Sequence, residues 1–273
     1  MDVWRRLHAW AVDRDFIGWD PYDGLNSPRV QNGPLWRSKW ARIAVTQLAK
    51  HCPINVRPLL GVRPEPNPKG LALFLSGAIE AAHTLGAEPI RGEASDLAAR
   101  LGELRSHREH GAGWGYPFPW QSRVFYLPPH TPTIVVTSYV GNALLSLYDE
   151  TGESELLKWS RSASRFILHD LNRTYDDEGA FCWSYSPIDD TAVYNASLLG
   201  SRFLARLYWL TGEEHLKEEA AASVEYVARR QGPQGEWVYG SDEVQQWIDN
   251  FHTGFVLECL HDYERFTGDS RYR

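Results

Sequence analysis

The 273-residue sequence has three cysteines, one methionine and no unbroken apolar run of the roughly 20 residues that a membrane-spanning helix needs. Cys52, Cys182 and Cys259 are odd in number, far apart and in no CxxC pair. That pattern excludes a disulfide framework and a thiolate zinc site, and it fits a reducing cytoplasm. The opening MDVWRRLHAWAVDRD breaks every apolar run with charge, so neither a signal peptide nor membrane insertion is expected. Positive charge is in deficit, with 28 Lys+Arg against 35 Asp+Glu for a net charge of -7. This removes any general electrostatic reason to bind nucleic acid or an anionic membrane. Also missing are the GxxxxGK[ST] phosphate loop, the GxSxG nucleophile elbow, and the HExxH zinc helix among ten histidines. His107 and His110 are close, but lack carboxylate or cysteine neighbours at ligand spacing. No metal and no cofactor are expected.

What the chain has in abundance is aromatic residues, at 13% with 12 tryptophans, and a repeat. Three passages align: SLYDETGESELLKWSRSASRFI, RLYWLTGEEHLKEEAAASVEYV and HDYERFTGDSRYR, with Thr151-Gly152, Thr211-Gly212 and Thr267-Gly268 in matching places. Each is an apolar helical stretch, a glycine able to take a left-handed C-terminal position, and an acidic restart that favours a helix N-terminus. A weaker copy has its turn at Leu85-Gly86 and an apolar face of Leu97, Leu101 and Leu104. One amphipathic hairpin cannot bury its apolar face alone, so hairpins recurring about every 60 residues predict an all-α solenoid or closed ring. Long, glycine-led aromatic loops such as GAGWGYPFPWQSR and GAFCWSYSPIDD return the chain to one end and favour the ring.

The periodicity predicts helices near 2–14, 36–51, 69–85, 92–108, 133–150, 154–170, 190–210, 214–230 and 250–266, with few strands. These belong to one domain, residues 1–68 carrying N-terminal helices and long loops and 69–273 carrying the hairpins. A six-hairpin ring needs twelve helices, so a toroid incomplete at its C-terminus by about 100 residues is expected.

The run YVARRQGPQGEW, Tyr226 to Trp237, resembles the QW motif of terpenoid cyclases and related α/α toroids, and FILHDLNRTYDDEGAF is a degenerate copy with Leu171 in place of Gln. The resemblance implies a toroid in which Gln231 ties a helix end to nearby backbone and Trp237 fills a gap between hairpins. Six-hairpin glycosidases, polysaccharide lyases and uronyl epimerases share that toroid. GWDPYDGLNSP and PINVRPLLGV resemble uncharacterised proteins that accompany bacterial surface-polysaccharide synthesis. The resemblance implies an oligo- or polysaccharide partner without fixing a reaction.

Candidate site residues fall in three groups. In GWDPYDGLNSP, Asp20 and Asp23 flank a proline-stiffened turn that either aims two carboxyls at one spot or is closed by them as an Asx turn. In SPIDDTAVYN, Asp189 and Asp190 precede a helix and Tyr194 follows, one aspartate serving as N-cap and the other facing the ring interior. At the comparable place in the next repeat, WIDNFHTGF brings Asp249, Asn250 and His252 to a helix mouth, where either Asp249 orients the imidazole for proton transfer or the three form a helix-start polar cluster. In GWGYPFPWQSR, Trp114, Tyr116, Phe118 and Trp120 offer flat faces to a pyranose, and Gln121 and Arg123 offer polar contacts. Arg57 and Lys69 either bind an anion or satisfy internal carbonyls and carboxylates.

These groups support three readings: acid/base chemistry on a carbohydrate, non-catalytic glycan binding or scaffolding, and isoprenoid binding. The aromatic faces suit a carbocation as well as a sugar. However, DDEGA at Asp176 and DDTAV at Asp189 lack the third carboxylate of a DDxxD cluster, and DxDD is absent, so the sugar reading is preferred.

Overall fold

The computed structural model describes residues 2–85 and 91–272. The chain divides into two compact units, Met1–Leu101 with Gly115–Thr131, and Gly102–Trp114 with Pro132–Arg273. Among the described residues nine longer helices occur: α1 Asp2–Val12, α2 Lys39–His51, α3 Pro68–Leu85, α4 Arg91–Glu103, α5 Ile134–Thr151, α6 Ser154–Asp170, α7 Tyr194–Thr211, α8 Glu214–Ala228 and α9 Asn250–Thr267. Three two-stranded antiparallel ribbons interrupt them: β1 Ser106–His107 with β2 Ala112–Gly113, β3 Trp120–Gln121 with β4 Tyr126–Leu127, and β5 Arg173–Tyr175 with β6 Phe181–Trp183. None of the described helices is long and apolar enough to cross a membrane.

The second unit holds the repeat. α5 and α7 are buried on nearly every face, whereas α6 and α8 bury one stripe each. α5 packs on α6 and α7, and α7 packs on α8 and α9. The approach of α5 to α7 is close because Gly141 lacks a side chain; a Cβ there would lie 2.5 Å from the Phe203 ring.

The Thr-Gly turns are built alike. Gly152, Gly212 and Gly268 end α5, α7 and α9 with φ of 70°, 70° and 74°. In each, the threonine hydroxyl donates back to the carbonyl four residues earlier and accepts the N–H two residues later, as Thr151 does with Leu147 and Glu153. Thr211 and Thr267 repeat both bonds. The weaker turn expected at Leu85-Gly86 lies outside the described residues.

Two boundaries differ most from the sequence expectation. α4 ends at Glu103 instead of 108 because Ser106 and His107 pair with Gly113 and Ala112. α7 starts at Tyr194 instead of 190 because Asp189 and Thr191 are tied into a loop. The N-cap is Val193, without a side-chain bond, so neither aspartate caps the helix. Near the QW-like run, Trp237 is buried and its indole donates to the Val227 carbonyl at 2.9 Å. Gln231 bonds the Gly235 carbonyl within its own turn.

In the first unit, Leu25, Leu71, Leu75, Leu97 and Leu101 form a fully buried core. Ser38 caps α2 by accepting from the Ala41 N–H. The Phe16 and Phe74 rings meet edge to face at 5.2 Å and bring the loop after α1 against α3.

Candidate functional site

The first unit contains a groove of about 230 Å³ whose walls come from three short segments. One is Arg63-Pro64-Glu65-Pro66-Asn67-Pro68-Lys69, with proline at every second position. Proline fixes φ and favours extended backbone at the residue before it, so this stretch is held extended and its side chains alternate. Arg63, Glu65 and Asn67 accordingly all line the groove. Glu65 is pinned by an antiparallel bridge to Gly18, its N–H reaching the Gly18 carbonyl at 3.0 Å. Opposite lie Trp10, Phe16, Trp19 and Asp20, with Phe74 and Phe118 completing the apolar surface. Trp10 and Trp19 are 52% and 44% exposed. The Trp19 indole donates to the Val62 carbonyl at 3.1 Å, which fixes its plane.

Asp20 is the chemical centre of this groove. One carboxyl oxygen accepts the Tyr22 N–H at 2.9 Å, and the other accepts the Asn67 amide at 3.0 Å. Asn67 is itself oriented, because its side-chain oxygen takes the Lys69 N–H at the start of α3. Burial raises the Asp20 pKa above the usual carboxylate value, outweighing the lowering by these bonds and by the Arg57 and Lys69 charges. Burial lowers the Lys69 pKa against the opposing pull of Asp20.

Asp23 does a different job. Its carboxylate takes the Arg57 Nε at 2.5 Å and the Asp20 N–H at 3.0 Å, and both side chains of the ion pair are buried. Arg57 also donates to the carbonyls of Ala49 and Asp20 at 3.2 and 2.8 Å. All three of these guanidinium contacts are internal, so the open alternative for Arg57 resolves to satisfying internal groups. The pair holds the backbone of Asp20 in place.

A second arrangement occupies the N-terminus of α9, in the other unit. Asp249 is the N-cap, accepting the His252 N–H at 2.7 Å, and its other oxygen meets His252 Nδ1 at 2.6 Å. The Trp247 indole donates to the same oxygen at 3.1 Å. Partial burial works to raise the Asp249 pKa, but the bonds and charge of His252 and the Trp247 bond prevail and lower it. Tyr239 stacks on Trp247 at 4.4 Å and meets the His252 ring edge-on at 4.6 Å. The expected orientation of His252 by Asp249 is thus present, in a partly exposed aromatic cradle.

The other expected residues are placed otherwise. Trp114 is fully buried and its N–H bonds the Thr137 hydroxyl, so it is core and offers no face to a ligand. Asp189 is buried in its loop, accepting from Ser186, Thr191 and Tyr185, while Asp190 is exposed. Tyr194 is buried edge-on against Tyr226. Gln121 is buried with its oxygen on Arg42 and its amide on Ser122 and Phe125, holding the β3–β4 turn. Tyr116 and Trp120 are half-buried and pack on each other at 6.4 Å. Arg123 and Asn250 are exposed. From the aromatic loop it is Phe118, with Pro117, that reaches the Asp20 groove. Glu65, Asn67, Arg63, Trp10 and Trp19 lie outside the sequence expectation; the alternating prolines are the readable signal for the first three. Among the described residues, no group of three or more His, Cys, Asp or Glu is placed to hold a metal ion.

No protein-family model matches the sequence, and neither does any curated protein. Solved structures do match. A glycoside hydrolase family 76 mannosidase from Bacteroides thetaiotaomicron is similar with a TM-score of 0.57 at 13% identity, over 81% of this chain and 60% of that one. A family 76 alpha-mannanase from the same organism gives 0.58 at 12% identity, over 93% and 70%. Cellobiose 2-epimerase from Bacillus thermoamylovorans gives 0.54 at 14% identity, over 76% and 57%. The likeness shows the fold, which is all-α and of the α/α-toroid class. The chain spans 60% of the length of the mannosidase and 57% of that of the epimerase.

Proposed function

We propose that the chain is a carbohydrate-active protein performing acid/base chemistry on a saccharide held in the Asp20 groove. The observation that carries this reading is a carboxyl with a raised pKa, fixed by two hydrogen bonds, in the lining of an aromatic-walled groove. In this reading Asp20 delivers the proton, Glu65 on the facing segment is the accepting carboxylate, and Trp10 and Trp19 receive the apolar faces of pyranose rings. Arg63 adds a planar fork suited to a sugar carboxylate. Asp23 and Arg57 are positioning residues, and the Asp249–His252 pair is a second group competent for proton transfer. The toroid is shared with a mannosidase and a sugar epimerase, which supports a carbohydrate substrate. The resemblance of GWDPYDGLNSP to proteins accompanying surface-polysaccharide synthesis supports a bacterial polysaccharide as its source. An isoprenoid is disfavoured because a hydrocarbon chain would leave Asp20 and Asn67 desolvated with no new partner.

Incubation with neutral and uronate-containing oligosaccharides, followed by mass spectrometry and NMR, separates hydrolysis, elimination and epimerisation by their products. Asp20→Asn and Glu65→Gln are each expected to lower kcat/KM about 100-fold or more. Turnover by Asp20→Asn at the wild-type rate would remove the proposal, and saccharide binding without turnover would leave the glycan-binding reading.

A further inference from the structure

Charge is unevenly spread along the chain. From Gly24 to Pro64 there are seven Lys and Arg residues and no Asp or Glu, and the 115–131 segment of the same unit adds Arg123, again without an acid. Because the net charge of the whole chain is -7, the remainder is strongly acidic. Arg57 is spent on Asp23, and Arg63 belongs to the Asp20 groove. The others bond neutral groups. Lys39 donates to the Arg123 carbonyl, Lys50 to the Tyr22 hydroxyl at 2.8 Å, and Arg42 to the Gln121 side chain at 2.9 Å. Such bonds fix a side chain without cancelling its charge. The Lys39 bond also brings the exposed tip of the β3–β4 turn, Arg123-Val124, beside the start of α2.

α2 turns its large apolar side chains outward. Its buried residues are Thr46 and Ala49, whereas Trp40 and Leu48 are 72% and 60% exposed. Trp40, Ala44 and Leu48 follow one another at four-residue spacing, so they form a stripe along one face, which Gln47 and His51 continue. Lys39 and Lys50, three turns apart, flank that stripe on the same side, and the Lys39 ammonium lies 5.7 Å from the Trp40 ring centre. Exposed Arg37 stands just before the helix and exposed Ile54 just after it. Scattered apolar side chains on a surface are ordinary; a stripe of them bordered by unmatched cations marks a contact surface.

We propose that this face of α2, with the Arg123 turn, docks on an anionic phospholipid surface, the helix lying in the plane of the interface. The occupant follows from the two chemistries present together. Arg37, Lys39, Lys50 and Arg123 attract phosphate headgroups, and Trp40 and Leu48 need an apolar phase. The acyl boundary of a membrane supplies that phase, and a nucleic acid or an acidic polysaccharide does not. Tryptophan beside Lys and Arg suits the headgroup level, where an indole has both apolar and polar surroundings. The acidic remainder of the molecule is repelled by the same surface, so charge selects the orientation that puts α2 against the lipid. At 13 residues α2 is too short to span a bilayer, and the contact is peripheral. The proposal stands independently of the carbohydrate reading.

Flotation of the intact chain with vesicles of equimolar phosphatidylglycerol and phosphatidylcholine, against pure phosphatidylcholine, tests it. Affinity is expected to be 10-fold or more higher for the anionic vesicles and to fall 10-fold or more between about 0.1 and 0.5 M NaCl. Two double variants separate the components: Trp40→Ala with Leu48→Ser, and Arg37→Glu with Lys50→Glu. All four side chains are exposed, so the fold is expected to survive, which circular dichroism checks. Each double variant is expected to weaken anionic-vesicle binding at least 10-fold, and wild-type affinity in either would overturn the assignment. Equal binding to both kinds of vesicle, or to neither by folded wild type, overturns it as well. Retention of duplex DNA or heparin without vesicle binding would make the face a polyanion site, and the membrane proposal would fall.

Discussion

Asp20 is held where its ionised form is costly. Its pKa in the folded chain lies above the ordinary 3.8, so the proton favours folding. That contribution is complete below pH 3.8 and is lost as pH rises through the folded value. Asp20→Asn removes this titration but keeps only one acceptor oxygen, so its stability relative to wild type is expected to improve as pH rises from 3 to 8, whatever fixed cost the lost Asn67 bond adds. Melting curves of wild type and Asp20→Asn across pH 3 to 8 check this; a difference in Tm that does not change with pH would contradict it. Asp20 and Asp23 are legible in the sequence because a carboxylate on each side of Pro-Tyr marks a built turn. Their division of labour is not, since Arg57 lies 34 residues beyond Asp23 and nothing local announces the ion pair. Glu65 is hidden for a related reason: between prolines it reads as loop, and its role depends on Gly18 across the bridge.

Helices and turns are the most legible features, because a Thr-Gly-acid triplet encodes its own geometry. Gly212 has φ of 70° and empty space where a Cβ would project, so Gly212→Ala is expected to cost about 1 kcal/mol for conformational reasons alone. Gly254, inside α9 and equally uncrowded, has no such demand, and Gly254→Ala is expected to stabilise by about 0.5–1 kcal/mol. Urea denaturation of the two variants checks the opposite signs. The start of α7 is misleading in the sequence because two adjacent aspartates resemble an N-cap, whereas Asp189 spends its oxygens on Ser186, Thr191 and Tyr185. Trp114 misleads because an aromatic in a glycine-rich loop has the same local signature in a core as on a surface.

At the scale of the whole chain, the toroid class follows from counting hairpins. The division into two units does not, because Gly115–Thr131 belongs with the N-terminal unit although its flanking residues belong to the other. Hydrogen exchange reads the proposed Asp20 site directly. A bound saccharide is expected to slow exchange several-fold in peptides spanning 17–26 and 63–71. Uniform protection across the chain would indicate general stabilisation and no localised site.

The proline-alternating segment has an evolutionary corollary. Its path is set by rings at 64, 66 and 68 and by a bridge made through the backbone of Glu65. Residues 63 and 65 can thus be exchanged with little effect on that path, whereas Asn67 is committed at the start of α3. Position 63 is therefore where ligand preference can drift or be engineered ahead of stability, while Glu65, equally free of the backbone path, is held by the proton-accepting role proposed for it.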